Sequence, residues 1–420
     1  MSKEMTKLRP KPLHIGFLAK DFLSWRGGVW FVQNLLCGLV VLPSQDVTVT
    51  LFVPSDSTPR IFLRRLAQRL KKALRQPSHA WSALTSPSAE RSLWTLGVQE
   101  LTAILPRIVI YDGSESDLLR RSRLAGVDVL MPVMTPLENS DIPWVGYLYD
   151  CQHRHHPEFF SAAERAVRDR NFELMLQRAD VVFANARAVI ADLQTFFPDG
   201  HSKLFSLPQA PLIRESELRR IGNDGDRGHL DVGESDYFIV CNQFWIHKDH
   251  QTAFRAFARF VAMPNRAACR LVCTGLTEDY RFPGHFGRLK ALVEELGIAD
   301  RVVFTGYIDR TEQLALVHSA LAVLQPTLFE GGPGGGAASD ALALGVPCIL
   351  SDIPVNLELQ DPLAFFFRVG NPESLAEALE SVAASPPARP SKEALLDANL
   401  RHARLLGDSL VALATVARTA

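Results

Sequence analysis

The sequence lacks metal-type cysteine spacing, a long apolar run and an excess of either charge. Each absence removes a class of protein. The six cysteines (Cys37, Cys151, Cys241, Cys269, Cys273 and Cys348) are scattered and lie mostly in apolar runs. They read as reduced, mostly buried thiols in a reducing compartment, neither a zinc site nor a disulfide framework. No apolar run reaches the roughly 18 residues of a membrane span. The opening stretch, MSKEMTKLRPKP, is polar and holds no signal-peptide core. A cytoplasmic location is therefore expected. With 45 basic and 46 acidic residues, nothing draws the whole molecule to nucleic acid.

Acids are missing from one local stretch as well. Arg60–Arg75 (RIFLRRLAQRLKKALR) holds seven basic residues and no acidic one, with apolar residues at helical spacing. Such a basic amphipathic helix fits peripheral docking on an anionic membrane, at its inner face. It also fits an ordinary surface helix whose apolar stripe packs on the core.

What is present is strand and helix in alternation. The chain has 420 residues, 47% of them apolar, which is too long for one ordinary core. Strands are expected at Leu13–Ala19, Val47–Pro54, Pro106–Tyr111, Val127–Val133, Trp144–Tyr149, Ala179–Asn185 and Lys203–Leu207. Pro157–Arg178 is expected as one long helix. From Pro208 to Asp236 the composition turns to proline, glycine and mixed charge, as a linker would. Alternation resumes at Tyr237–Cys241. The expected fold class is therefore α/β, with two Rossmann-like domains whose parallel sheets face a central cleft. Residues 1–208 form the first domain, 209–235 the linker and 236–390 the second. A C-terminal helix over 391–420 is free to pack back on the first domain.

The stretch Leu321–Leu359 is the strongest local signal. A short apolar strand ends at Gln325-Pro326, and Glu330 precedes five glycines in six positions, Gly331–Gly336 with Pro333 among them. A helix follows, then Gly345 and a second buried strand. A glycine turn feeding a helix start offers free N–H groups beside the positive end of the helix dipole. That suits a phosphate, with Glu330 and Asp340 able to accept from sugar hydroxyls. Three other loops stand at expected strand ends: Gly27-Gly28, Asp150–His156 and Asn242–Lys248. In open parallel sheets such ends face the ligand crevice. Because the loops come from both halves, they favour a reaction between two bound molecules. The histidines in DCQHRHHP do not have helical metal-ligand spacing. They suit hydrogen bonding to a polar substrate, or simply the capping of a loop.

Three segments of the C-terminal half then carry a family resemblance: NQFWIHKDHQTAFRAF, VVFTGYIDRTEQLALVHSALAVLQPTLFEGG and ALALGVPCILSDIPVNLEL. Together they resemble the group 1, or family 4, glycosyltransferases, well over residues 236–360 and more loosely near Gly27, DCQHRHHPEFF and ADVVFANARAVI. The resemblance implies the two-domain fold called GT-B, a nucleoside diphosphate sugar as donor, retention of anomeric configuration, and neither metal ion nor other cofactor. It places Lys248 at the donor diphosphate and Glu330 at the donor sugar; the glycine turns themselves put Gly27, Gly28, Gly334, Gly335 and Gly336 beside the same diphosphate. Where the family has an arginine, this chain has Gln243, and His247 is the candidate to supply the missing cationic contact. The family's second acid falls on Asp340, with two extra residues in the glycine loop, at the ribose. Where the family often has His-Asp, the chain has Tyr149-Asp150, and His153 is the substitute histidine. The acceptor, a hydroxyl of a glycan or lipid-linked glycan, is expected near Asp150 and His153. A sugar-nucleotide epimerase of the same fold and a non-catalytic sugar-nucleotide-binding protein are the competing expectations.

Overall fold

A computed structural model describes residues 11–23, 26–55, 98–105, 107–221 and 235–420. The basic stretch 60–75 lies outside them. Among the described residues no helix is long and apolar enough to cross a membrane.

The described strands form two sheets. The first holds β1 (Leu13–Leu18), β2 (Val47–Pro54), β3 (Ile108–Tyr111), β4 (Val129–Val133), β5 (Trp144–Tyr147), β6 (Val181–Ala184) and β7 (Lys203–Ser206). Its order is β3-β2-β1-β4-β5-β6-β7. The second holds β8 (Tyr237–Cys241), β9 (Arg270–Thr274), β10 (Val302–Gly306), β11 (Val323–Gln325), β12 (Cys348–Ser351) and β13 (Ala364–Phe367). Its order is β10-β9-β8-β11-β12-β13. Neighbouring strands run parallel throughout. Both sheets reverse direction beside their first strand, and a crevice opens at the strand C-termini there.

Burial on both faces explains the near-continuous apolar strands. In β8, Phe238 and Val240 enter one core cluster while Tyr237 and Ile239 enter the other, as a period of two requires. The expected helix from Pro157 to Arg178 is broken. A short turn at Pro157–Phe159 is followed by a new helix, Ala162–Arg178. Ser161 and Glu164 form a reciprocal capping box at its start, which fixes the helix origin after Phe160.

The chain's last helix, Lys392–Thr419, returns to the first sheet. Leu406, Leu410 and Leu413 join the core cluster of β1 and β2, each contributing roughly 1.5–3 kcal/mol by burial. Gly407 packs against Gly38 of the Arg26–Val40 helix so closely that a Cβ there would lie 2.1 Å from the Gly38 carbonyl oxygen. The halves also meet at the segment after β12. Ile353 and Val355 enter a core cluster of the first sheet. Glu358 accepts from the backbone N–H of Arg187 at 2.9 Å and of Ala188 at 2.6 Å, at the positive end of the Arg187–Phe196 helix.

Candidate functional site

The loops after β8 and β11 build the centre of the site. After β8 the backbone makes a tight turn at Ile246–Lys248, and Asp249 adopts φ 46°. Aspartate tolerates this left-handed geometry, and its side chain caps the His250–Val261 helix through Thr252, Oγ1 to Oδ2 at 2.6 Å. The turn aims Lys248 at Glu330, and the two form an ion pair. Their side chains are only 15% and 11% exposed. Gln325 Nε2 donates to the same Glu330 oxygen at 2.9 Å, and Asn242 Nδ2 donates to Gln325 Oε1 at 2.7 Å. A line of buried, satisfied polar groups thus joins the ends of adjacent strands and holds Glu330 in place.

The glycines divide into separate roles. A Cβ at Gly331 would meet the Tyr149 carbonyl oxygen at 2.4 Å, and one at Gly332 would meet Asn185 at 3.1 Å. These two let the halves touch. Gly334 and Gly335 have φ 65° and 62°, which a turn into the Gly335–Ala343 helix requires. Gly334 is enclosed and donates its N–H to Asn356 Oδ1 at 2.8 Å. Gly335 and Gly336, in the first helical turn, line a cavity of about 360 Å³ between the halves. Gly27 lines the same cavity from the first turn of the Arg26–Val40 helix, whereas Gly28 is buried. Two helix N-termini, one from each half, therefore converge on this space.

Asp340 reaches this cavity already partnered. Arg310, at the start of the Arg310–Ser319 helix, grips both its carboxylate oxygens, with Nη2 to Oδ1 at 2.7 Å. Arg310 also lies 3.4 Å from Glu217 and 4.8 Å from the centre of the Trp30 ring. Sequence spacing does not show this pairing, since 30 residues separate the two. Burial pushes the Asp340 carboxyl up, and Arg310 opposes it.

A second cavity, of about 420 Å³, lies on the other side of a partition made by Tyr149, Asp150, Glu330 and Gly331, which line both spaces. Lys248 and His247 face this second space. Asp150 is held by the Gln152 N–H at 2.9 Å. Burial raises its carboxyl above the usual range, with Arg168 pulling the other way.

Three expected residues stand differently from their sequence roles. His153 does not reach the cleft. Its side chain is enclosed against Phe160 and Phe172, with Nε2 2.9 Å from Asp169. The short Gln152–His155 helix rotates it inward. His155 and His156 lie beside Asp192 and Glu158 respectively, so the three histidines do not converge. His247 cannot serve as the missing cation. Burial, with Lys248 and Arg281 nearby, lowers its pKa to about 2, so it is neutral. Gln243 is exposed and lines neither cavity. The cations that do face the cavities besides Lys248 are Arg310, Arg168 and Arg281. Arg281 and Arg310 follow β9 and β10, so the strand-end rule applied to every strand would have pointed to them.

Residues 226–395 match the family model of the glycosyl transferases group 1. A search of curated protein sequences finds no match. Among solved structures, Anabaena HepE in complex with UDP and glucose is similar at TM-score 0.55 and 15% identity, covering 97% of this chain and 98% of that one. Sucrose-phosphate synthase from Thermosynechococcus elongatus gives 0.54 and 16%, over 96% of each chain. A UDP-forming trehalose-phosphate synthase from Burkholderia xenovorans gives 0.55 and 14%, over 96% of this chain and 99% of that one.

Proposed function

Because residues 226–395 match the group 1 glycosyltransferase model and the described residues have the GT-B fold, we propose that the chain moves a sugar from a nucleoside diphosphate sugar to a hydroxyl acceptor, with retention and without a metal ion. The observation that carries this reading is the meeting of two helix N-termini on one cavity whose wall holds Glu330, the partner of Lys248 behind it. The donor diphosphate lies between Gly27 and Gly335–Gly336, within reach of Lys248. Charge developing on the leaving diphosphate is met by that lysine and the two helix ends, which are already oriented before reaction. Glu330 accepts from hydroxyls of the donor sugar. Asp340 faces the ribose as part of its pair with Arg310, and Asp150 stands beside the sugar from the opposite half. HepE, with UDP and glucose bound, makes a uridine nucleotide the first donor to try.

The Lys248–Glu330 pair adds a condition. A ligand that engages the lysine alone leaves a largely buried carboxylate unpaired, which costs several kcal/mol. A complete sugar nucleotide supplies partners for both, so sugar and diphosphate are recognised together. The acceptor is a glycan or lipid-linked glycan. The chain works in the cytoplasm, attached through residues 60–75 to an anionic membrane face. Liposome sedimentation tests the attachment, and binding that ignores anionic lipid would end it.

The donor reading is tested by incubating the protein with a panel of nucleoside diphosphate sugars. Bound donor is expected to raise the unfolding temperature, and the anomeric configuration of the product is read by NMR. If no sugar nucleotide raises the unfolding temperature and none is consumed, the reading fails.

A further inference from the structure

The second cavity contains positive charge that the donor site does not use. Arg281 follows β9 and its side chain is 7% exposed. Its guanidinium lies 4.9 Å from the Trp245 ring centre and 5.2 Å from that of Phe160. The nearest carboxylate, Asp279, is 3.8 Å from Nε, beyond a hydrogen bond. Asp279 is already occupied by the backbone N–H groups of Ile246 and Arg281, at 3.2 and 3.0 Å. Arg281 Nε is enclosed and has no hydrogen-bond partner.

Arg168 approaches from the other half. Its guanidinium lies 4.6 Å from the Phe160 ring centre, and its Nη1 is 3.6 Å from Asp150. That nitrogen, too, is enclosed without a hydrogen-bond partner. Buried donors of this kind are rarely left unpaired. Here two occur together, one from each half and both beside the Phe160 ring, in the lining of one cavity that Lys248 also lines. Three cations and two acids line it: Lys248 is paired with Glu330, Arg168 lies 3.6 Å from Asp150, and the acid beside Arg281, Asp279, stands outside the lining. The aromatic rings hold both guanidinium planes in fixed positions, which favours recognition of a flat or tetrahedral oxyanion.

We propose that this cavity binds the acceptor through an anionic group on it, a phosphate monoester or a carboxylate, held between Arg168 and Arg281. The proposal rests on the glycosyl-transfer reading and narrows its acceptor class. The partition of Asp150, Glu330 and Gly331 sets the acceptor beside the donor sugar. The acceptor's anion would then point away from the reacting hydroxyl, toward Trp245 and Tyr280.

Calorimetric titration of the full-length protein, saturated with UDP, tests this with three probes: glucose 6-phosphate, glucuronate and glucose. At least one anionic probe is expected to bind more tightly than glucose, and the phosphate and carboxylate arms separate the two sources of charge. Arg281→Gln should weaken that probe by about tenfold or more, as loss of a charge-assisted hydrogen bond does, while UDP affinity holds. Arg281→Lys should recover part of the loss, and Arg168→Gln should reproduce it from the other half. UDP binding by each variant shows that it has folded. The proposal is overturned if the anions bind no better than glucose, or if Arg281→Gln weakens UDP as strongly as the probe, since the cavity would then serve the donor's own diphosphate. If the wild-type protein binds no nucleotide at all, the glycosyl-transfer reading falls and the proposal falls with it.

Discussion

The two sheets share one strand order over six strands, β3-β2-β1-β4-β5-β6 against β10-β9-β8-β11-β12-β13, yet they bring different chemistry to the cleft. The C-terminal half supplies fixed ionic pairs. Lys248 meets Glu330 across strand-end loops at the topological reversal, and Arg310, first residue of the helix after the edge strand β10, meets Asp340 on the Gly335–Ala343 helix. The N-terminal half supplies mainly surface and backbone: the Tyr149 carbonyl, Asn185 and the first turn at Gly27. The same topology thus serves a charged wall on one side and a closely fitting lid on the other. Position at a strand end makes a loop available for function, and its residues decide which function it takes.

The comparison can be broken most sharply at the charged wall. Lys248→Ala is expected to lower transfer by about 10²–10³-fold, as loss of one preorganised electrostatic contact does. A rate close to wild type, measured with saturating donor, would remove the lysine from the mechanism. Gly331→Ala attacks the lid instead. Its methyl would press on the Tyr149 carbonyl and hold the halves apart, and misplacement on the order of 1 Å costs up to about 10²-fold. UDP affinity should change little, so a loss confined to UDP binding would contradict the lid role.

Smaller effects bear on how the halves are joined. Gly407→Ala forces the last helix off the Gly38 backbone, and overpacking of this kind costs about 1–3 kcal/mol in urea unfolding. The C-terminal core should also show a pH signature. Burial lowers the pKa of His247 to about 2 and of His250 to about 3. Both are neutral when folded, while the unfolded chain takes up protons below the ordinary value near 6.5. Stability is therefore complete above that value and falls as pH drops through it, by about 1.4 kcal/mol per pH unit for each histidine. Replacing both with glutamine should flatten the slope between pH 5 and about 6.5. A slope that survives would place its origin in other groups. Glu358→Ala should cost least, about 1 kcal/mol, as loss of a helix cap does. Thermal unfolding of that variant, compared with Glu358→Gln, separates the charge from the hydrogen bonds.

Much of this architecture was legible because parallel strands announce themselves as short apolar runs between glycine and proline. Lys248 and Glu330 each stand out in the sequence, but their direct pairing does not, because it depends on β8 and β11 being neighbours in the sheet. Orientation within a turn was not legible. His153 and His155 are two residues apart on a four-residue helix, yet one is enclosed beside Asp169 and the other is partly exposed beside Asp192. Nor could spacing reveal that Asp340 faces Arg310. That contact joins the start of one helix to the second turn of another, in separate crossovers, and only the packed sheet brings them together.

The last helix has one more consequence. The chain passes between the halves once after β7 and again within the last helix, whose Leu395 packs with the second sheet and whose Leu406 packs with the first. Asn399 binds both the N–H and the carbonyl of Ile213, at 2.9 and 2.6 Å, and His402 Nδ1 lies 2.8 Å from the Pro211 carbonyl oxygen. The two passages are thus clasped side by side. A door hung on a single pin can swing and twist, but one hung on two swings about a single axis. Opening of this cleft would follow that one arc, returning Gly331 to the same seat against Tyr149 each time it shuts.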